Sequence, residues 1–307
     1  MKEKLLISFS GGRTSAMMTK YLLDNHKNKY DFVVVFANTG HERQATLDFV
    51  DKCDREFGFN TIWIEAVTPK EKGKGTYCKI VDYNTAYRNV LKNGNDPFEM
   101  FISKFGLPDI KNPNCSRELK KQCIRAFMRD NLGFTKINYY TALGIRSDEP
   151  KRLNWDRAKK EKIKYFAEFG NVTKSKVNEF WAKQSFDLKI KSYEGNCILC
   201  WKKSNRKLYT IIREGIINND LELLEEIKWI ENMEKKYGNI NRDGSERNNV
   251  MFRNSMSIFD MVEESEYLEI SEFAKDESHI IDSALQLSLW NNELDMNSGC
   301  VESCEVF

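Results

Sequence analysis

Short apolar runs alternate with helix-like stretches through the first half of the chain. Each run is the length of a buried strand; the four are Leu5–Phe9, Phe32–Phe36, Thr61–Ala66 and Ile137–Leu143. The stretches between them with helical periodicity are Thr14–Leu23, Gln44–Phe57 and Ser116–Asn131. Because alternating strands and helices form parallel sheets with a helical layer on each face, the sequence predicts an α/β fold with a parallel sheet.

The overall composition limits the classes of function. Hydrophobic residues make up 41% and charged residues 31% of the 307 residues, which is the balance of a soluble globular protein. The net charge of +2 gives no sign of general electrostatic binding to a polyanion such as a nucleic acid. The apolar runs are too short to span a membrane, and the first residues lack the pattern of a signal peptide. We expect a cytoplasmic protein whose eight cysteines are not disulfide-bonded.

Two glycines stand between the first predicted strand and the first predicted helix, in Ser10-Gly11-Gly12-Arg13-Thr14-Ser15. Glycine lets the backbone turn sharply and approach a ligand. The free amides of a helix's first turn attract anions, above all phosphate. The spacing fits neither the dinucleotide fingerprint nor the Walker loop, so an ordinary turn is the alternative.

Polar clusters follow two other predicted strands. "ANTGHE" (37–42) contains Asn38, Gly40 and His41, and "GIRSDEPKR" (144–152) contains Gly144, Arg146 and Arg152. Ligands of open parallel sheets bind at the carboxyl ends of strands, and arginine suits phosphate clamping. Asp148 and Glu149 either pair with these arginines or hold magnesium, and His41 is either a phosphate contact or a surface loop histidine.

Five motifs, "SFSGGRTSA", "FANTGHE", "NCSRELK", "GIRSDEPKR" and "GNCILCWKK", resemble the PP-loop superfamily, in particular its phosphoadenosine phosphosulfate (PAPS) reductase-like group of phages and prophages. The resemblance implies an adenine nucleotide alpha-hydrolase-like fold in which the Ser-Gly-Gly loop binds nucleotide phosphates. It also implies that Arg117 and Lys120 reach the nucleotide. Two departures from family patterns stand out: Thr14 replaces an aspartate of ATP-cleaving members, and Asn38 replaces an aspartate of many reductase-like members.

The chain divides into two predicted parts. Residues 1–152 form the PP-loop nucleotide-binding domain, with a turn-rich insertion at about 68–113. Residues 153–307 form a smaller helical module that carries cysteines, with a clear amphipathic helix at Leu221–Tyr237. The charged stretch "RAKKEKIK" is typical of a surface helix.

Two spaced cysteine pairs, Cys197/Cys200 and Cys300/Cys304, make a four-thiolate site for zinc or an iron–sulfur cluster feasible. The resemblance to cluster-bearing reductases offers Cys115, with or without Cys123, as alternative ligands. It also offers Cys304 as a redox nucleophile. Cys78 receives no role.

We expect an enzyme that binds ATP or a related adenine nucleotide and cleaves or activates it next to the α-phosphate, with magnesium if ATP is the substrate. The predicted phosphate-binding residues are Ser10, Gly11, Gly12, Arg13, Thr14 and Ser15. Asn38, Gly40 and Gly144 would place the nucleotide, and Arg146, Arg152 and Lys120 would act on the reacting groups.

Two alternative functions stay open. One is thiol-dependent reduction of a sulfonucleotide such as PAPS. The other is a non-catalytic nucleotide sensor, or a partner of a protein or nucleic acid that uses the basic stretch Lys202–Lys207.

Overall fold

A six-stranded sheet organises the molecule. The computed structural model describes residues 2–71, 73–109, 113–238 and 250–281. The strands are β1 (Glu3–Ser8), β2 (Tyr30–Asn38), β3 (Ile62–Val67), β4 (Tyr77–Val81), β5 (Tyr140–Leu143) and β6 (Ile163–Tyr165). Their order is β4-β3-β2-β1-β5-β6, and every neighbouring pair is parallel except β3 and β4. The α/β fold class is confirmed.

Helices connect and cover the strands. The α-helices are α1 (Arg13–Asn25), α2 (Gln44–Phe57), α3 (Pro97–Phe105), α4 (Cys123–Asp130), α5 (Trp155–Glu161), α6 (Lys174–Ala182), α7 (Asn205–Ile217), α8 (Leu221–Tyr237) and α9 (Ile258–Glu266). A π-helix, Ser116–Gln122, runs directly into α4. Short 3₁₀ segments lie at Lys136–Asn138, Pro150–Arg152, Phe166–Phe169, Arg253–Ser255 and Ile270–Glu272.

Strand side chains alternate between two hydrophobic cores because successive residues of a strand face opposite sides of the sheet. Leu5, Ile7 and Val34 pack with α1, α2 and α6 on one face. Leu6 and Val35 pack on the other face with α3, α4 and the carboxyl-terminal helices α7, α8 and α9. The later helices therefore share one core with the sheet.

Two strands lie outside the predicted ones. β4 falls within the region predicted as an insertion, and it pairs antiparallel at the sheet edge. The charged stretch predicted as one surface helix, residues 157–164, covers most of α5 and then enters β6, which pairs with β5. The sheet thus continues past residue 152. Within the described residues, no helix is long and apolar enough to cross a membrane.

Candidate functional site

The turn between β1 and α1 is a tight corner that only glycine fits. Gly11 has a φ of +82°, and a Cβ there would lie 2.8 Å from Cγ2 of Thr46. Gly12 precedes α1 in an extended conformation, and among the described residues no side chain caps the helix and no acidic residue occupies its first turn. The first-turn amides of α1 therefore keep their electrostatic preference for an anion.

The serines of this corner hold the turn itself. The Ser15 hydroxyl donates to the carbonyl oxygen of Gly12 at 2.9 Å. A hydroxyl has one hydrogen, so the Ser10 hydroxyl is the donor in its 2.9 Å contact with Ser15 Oγ. Both side chains are buried, and the loop is preorganised by their hydrogen bonds.

A pocket of about 450 Å³, here called the loop pocket, opens at this corner. Gly12, Arg13 and Thr14 form one wall, and Asn178, Lys191, Ser192, Gly195 and Ser278 contribute to the other. The amino terminus of α1 therefore faces a cavity that the second half of the chain completes.

Arg13 joins the corner to later segments. Its guanidinium donates to Asn178 Oδ1 at 2.9 Å and to the carbonyl of Ser278 at 2.7 Å, and it pairs with Asp187 at 2.9 Å. Arg13 was predicted to bind phosphate. In the structure it lines the loop pocket while it anchors Asn178, Asp187 and Ser278 to the corner.

Arg146 reaches the same corner from the end of β5. Its side chain is 2% exposed, and Nη1 lies 3.4 Å from the hydroxyl of Thr14. Its Nε donates to Asp148 at 2.8 Å, and its backbone amide donates to Glu149 at 3.0 Å. Glu149 also pairs with Arg152, three residues away. Both acidic side chains considered for magnesium are thus engaged by arginines. Gly144 follows β5 directly and is buried.

Asn38 and Gly40 build the turn after β2. The fully buried Asn38 amide donates to Glu65 at 2.7 Å and to the carbonyl of Tyr87 at 2.9 Å. Gly40 has a φ of +87°, and a Cβ there would lie 2.4 Å from the Tyr87 ring. Burial raises the pKa of Glu65, against the hydrogen bonds that it accepts from Tyr87 and Asn38. These residues shape the turn from within.

Lys120 comes to the β2 turn from the π-helix. Glu42 accepts hydrogen bonds from the backbone amides of Thr39 and Gly40 at 3.0 and 3.1 Å, and from the Thr39 hydroxyl at 2.8 Å. The Lys120 ammonium lies 3.8 Å from Glu42. Lys120 therefore stands at the end of β2, whereas Arg117 is half exposed and pairs with Glu118.

Residues 196–198, here called the Cys197 segment, bridge the ends of β1 and β2. Asn196 Nδ2 donates to the carbonyl of Ser10 at 2.5 Å, and the amide of Ile198 donates to the carbonyl of His41 at 3.1 Å. Lys203 supports the segment from behind, since its ammonium donates to the carbonyls of Cys197 and Ile198 at 2.5 and 2.9 Å. The two halves of the chain thus meet at the site.

A second pocket, of about 520 Å³, lies on the other side of this segment. We call it the thiol pocket because Cys115, Cys197 and Cys200 all line it, with Thr39 and Lys120 beside them. Among the described residues, no group of three or more His, Cys, Asp or Glu side chains is arranged to hold a metal ion. Cys300 and Cys304 lie outside the described residues.

Cys123 and Cys78 sit away from this pocket. Cys123 is fully buried in the hydrophobic core, and burial raises the pKa of its thiol well above the ordinary value. The Cys78 thiol, on β4, lies 3.6 Å from Asn131 Oδ1. The structure thus gathers Cys115, but not Cys123, with Cys197 and Cys200.

The burial of His41 and its two carboxylate partners were not predicted from the sequence. His41 is 1% exposed, so the surface-loop interpretation is wrong. Its ring lies 2.7 Å from Glu226 and 3.4 Å from Asp96. Burial alone lowers the pKa of His41, but the two carboxylates outweigh it and raise the pKa to about 10. The imidazolium therefore joins β2, α3 and α8.

The mostly parallel sheet and the glycine corner after β1 match the α/β fold that the resemblance to the PP-loop superfamily implies. A profile for the phosphoadenosine phosphosulfate reductase domain matches residues 4–102. The chain is also 30% identical over 310 residues to the "Uncharacterized nin region protein ORF290" of Escherichia phage lambda. The matched region covers 98% of this chain and 94% of that relative. The chain therefore belongs to the PAPS reductase-like family of the phage type.

Proposed function

We propose that the chain binds the phosphates of ATP or a related adenine nucleotide in the loop pocket and cleaves or activates the nucleotide next to the α-phosphate. The observation that carries this proposal is the amino terminus of α1, which no side chain of the described residues caps and which faces a cavity beside the turn after β1. Backbone amides and the helix dipole favour a phosphate there, and Thr14 adds a hydroxyl donor.

Arg146 is the residue best placed to stabilise charge that develops on the nucleotide. Its buried guanidinium stands beside Thr14, and Asp148 fixes its orientation. A preorganised cation in a site with little water stabilises a transition state more than a mobile one does. Arg152 acts through Glu149 and positions the loop that carries Arg146. We expect magnesium to arrive with ATP, held mainly by the phosphates.

A matched pair of glycine variants tests this proposal. Gly11→Ala places a methyl group at the corner, whereas Gly58→Ala carries a similar backbone strain, at a φ of +66°, with nothing within 4 Å of the added atom. Isothermal titration with ATP, and separately with PAPS, should show at least about tenfold weaker binding in Gly11→Ala, while Gly58→Ala binds like the parent chain. Equal affinity in both variants, or no binding of either nucleotide to the parent chain, would refute the proposal.

The choice of nucleotide separates adenylyl chemistry from sulfonucleotide reduction. Binding of ATP with release of pyrophosphate favours the first. Binding of PAPS with thiol-dependent release of sulfite, lost in Cys304→Ser, favours the second. Binding of either nucleotide without turnover favours a sensor or partner protein.

We propose further that Cys197 and Cys200 bind zinc or an iron–sulfur cluster together with other cysteines of the chain. Thiolate donors suit both groups, and Cys115 lines the same pocket. Metal and sulfide analysis after anaerobic purification tests this: a metal-free protein would contradict it, and the metal content of Cys115→Ala and Cys304→Ala would identify the remaining ligands.

A further inference from the structure

Helix α5 and the strand β6 that follows it carry an excess of positive charge at one edge of the sheet. Residues 155–164 contain five lysines and arginines but only two carboxylates, those of Asp156 and Glu161, whereas the whole chain has 48 basic and 46 acidic residues. Lys159 and Lys160 are exposed, and neither forms an ion pair with another described residue. The proposed nucleotide chemistry makes no use of this surface.

Cations from the π-helix and from α4 adjoin α5. Lys121, Arg125 and Arg157 all pair with the same carboxylate, that of Glu161, at 3.0, 3.7 and 3.0 Å. Because three cations share Glu161, it neutralises each of them only in part.

Lys136, just before β5, shows the effect of this charge. Burial and the neighbouring cations Arg125, Lys121 and Lys162 lower its pKa to about 8, against the attraction of Glu161. Cations that repel one another raise the free energy of the folded chain, and a bound polyanion relieves that repulsion. The charge of this region therefore favours a ligand with several phosphate groups.

An accessible aromatic ring begins the same helix. Trp155 is 50% exposed, and its ring centroid lies 5.3 Å from that of Tyr165. Asn154 caps α5, since its side chain accepts from the backbone amide of Arg157 at 2.9 Å. Lys159 follows Trp155 by four residues, so the two side chains lie on one side of the helix. A supported ring beside cations is an arrangement on which an unpaired nucleic-acid base stacks.

The basic stretch Lys202–Lys207, which the sequence analysis considered for nucleic acid, is largely engaged within the fold. Lys203 is 3% exposed and donates to two carbonyls of the Cys197 segment. Arg206 donates to the carbonyls of Glu272 and Phe273. These cations hold segments of the chain together, whereas Lys159 and Lys160 face solvent.

From these observations we infer that Trp155, Lys159, Lys160 and the cations around Glu161, here called the α5 surface, bind single-stranded nucleic acid. Phosphates lie along the cations, and one base stacks on Trp155. DNA and RNA share the phosphodiester backbone that this chemistry recognises. The inference assigns a second binding activity, which does not depend on whether the loop pocket binds a nucleotide.

Fluorescence anisotropy with labelled oligo(dT) and oligo(U) of about 20 nucleotides tests the role of charge. At low salt the parent chain should bind at least one of them with a Kd of about 1–100 µM. The double variant Lys159→Gln/Lys160→Gln should bind at least about fivefold more weakly, and its affinity should depend less steeply on salt, because phosphate contacts are lost. Lys235→Gln/Lys236→Gln removes the same charge from two exposed positions on α8 and should bind like the parent chain.

Trp155→Leu tests the stacking of a base. Its affinity for the single strand should fall at least about fivefold, with an unchanged salt dependence, because the ring carries no charge. Tyr267→Leu removes another exposed ring, at the end of α9, and should bind like the parent chain. A duplex of the same length should bind equally to Trp155→Leu and to the parent chain, since paired bases are not free to stack on the ring.

Two results would overturn the inference: no binding of either oligonucleotide to the parent chain, or equal weakening in the two lysine variants, because net charge alone would then explain the binding. An unchanged affinity in Trp155→Leu, or tighter binding of the duplex than of the single strand, would overturn the assignment to single strands. Circular dichroism during heating checks that each variant folds.

Titration with ATP separates this inference from the proposed function. A parent chain that binds the oligonucleotide but neither ATP nor PAPS would refute the proposed function and leave this inference standing. A parent chain that binds a nucleotide but no oligonucleotide would refute this inference alone.

Discussion

His41 shows how one buried residue ties the site to the rest of the molecule. The ring stands beside the carboxyl end of β2, packs with its centroid 3.9 Å from the Trp229 ring, and contacts carboxylates from α8 and from the start of α3. Asn89 also donates to Glu226, at 3.0 Å. A buried cation between two carboxylates is stabilising only while all partners keep their charge.

The charge of His41 makes a testable prediction about stability and pH. Its pKa is about 10 in the folded chain and about 6.5 in an unfolded chain, so the folded state binds the proton more tightly. The resulting stabilisation is fully present below pH 6.5 and is lost as the pH rises toward 10. We expect the free energy of unfolding in urea to fall by roughly 2–5 kcal/mol over this window because of His41.

Variants isolate the contribution of this imidazole. In His41→Gln, the free energy of unfolding should be lower at pH 6 and should depend less on pH than in the parent chain. His279→Gln, at an exposed position, is the control for loss of a histidine. A His41→Gln chain with the same decline between pH 6.5 and 10 would contradict the charged state of His41.

At the scale of elements, the sequence predicted the helices and strands whose buried face is marked by an apolar pattern within the element itself. α2 and α8 have the predicted bounds, since each has a clear apolar stripe and a defined end: Gly58 takes the left-handed conformation after α2, and Asp220 caps α8. β4 was missed because most of its side chains are at least partly exposed and it pairs antiparallel at an edge. β6 was missed because it is only three residues long and follows a charged helix.

The candidate site also contains features that could be predicted from the sequence and features that could not. The corner at Gly11 and Gly12 and the approach of Arg146 could be predicted, because strand ends of a parallel sheet meet at one edge. The contacts of Asn196 with Ser10 and of Glu226 with His41 could not, because they join residues far apart in the sequence. No local pattern encodes the position of such a partner.

The packing of α7 against α8 depends on one small residue. A Cβ at Gly215 would lie 2.0 Å from Cδ2 and 3.2 Å from Cβ of Leu223, and Leu223 is fully buried. We expect Gly215→Ala to lower the free energy of unfolding by about 1–3 kcal/mol through overpacking, measured by urea denaturation.

A double-mutant cycle checks the cause of that loss. Leu223→Ala alone should destabilise the chain through a cavity, but Gly215→Ala should have little further effect in the Leu223→Ala background because the crowded atoms are absent. Additive losses would mean that Gly215 acts through something other than its contact with Leu223.

At the scale of the whole molecule, residues 276–281 return from the carboxyl-terminal region to the mouth of the loop pocket. The Lys174 ammonium pairs with the buried carboxylate of Glu277 at 2.5 Å. Asn178 is the central contact: it accepts from Arg13 and donates to the carbonyls of Glu277 and Ile280 at 2.9 and 2.7 Å. The first and last described segments are thus held together through α6.

This arrangement predicts that Asn178→Ala loosens residues 276–281 without unfolding the sheet. Hydrogen exchange followed by mass spectrometry should show at least about tenfold faster exchange in peptides from this segment, because three hydrogen bonds are lost together, while exchange in β1 and β2 stays unchanged. Glu179→Ala, the next residue on α6, removes an exposed ion pair with Lys183 and should leave the segment as in the parent chain.

If nucleotide binding uses the loop pocket, ATP should slow exchange of residues 276–281 in the Glu179→Ala chain and much less in the Asn178→Ala chain. Equal exchange in the two variants would mean that Asn178 does not hold this segment on the corner, and that Arg13 and Lys174 suffice.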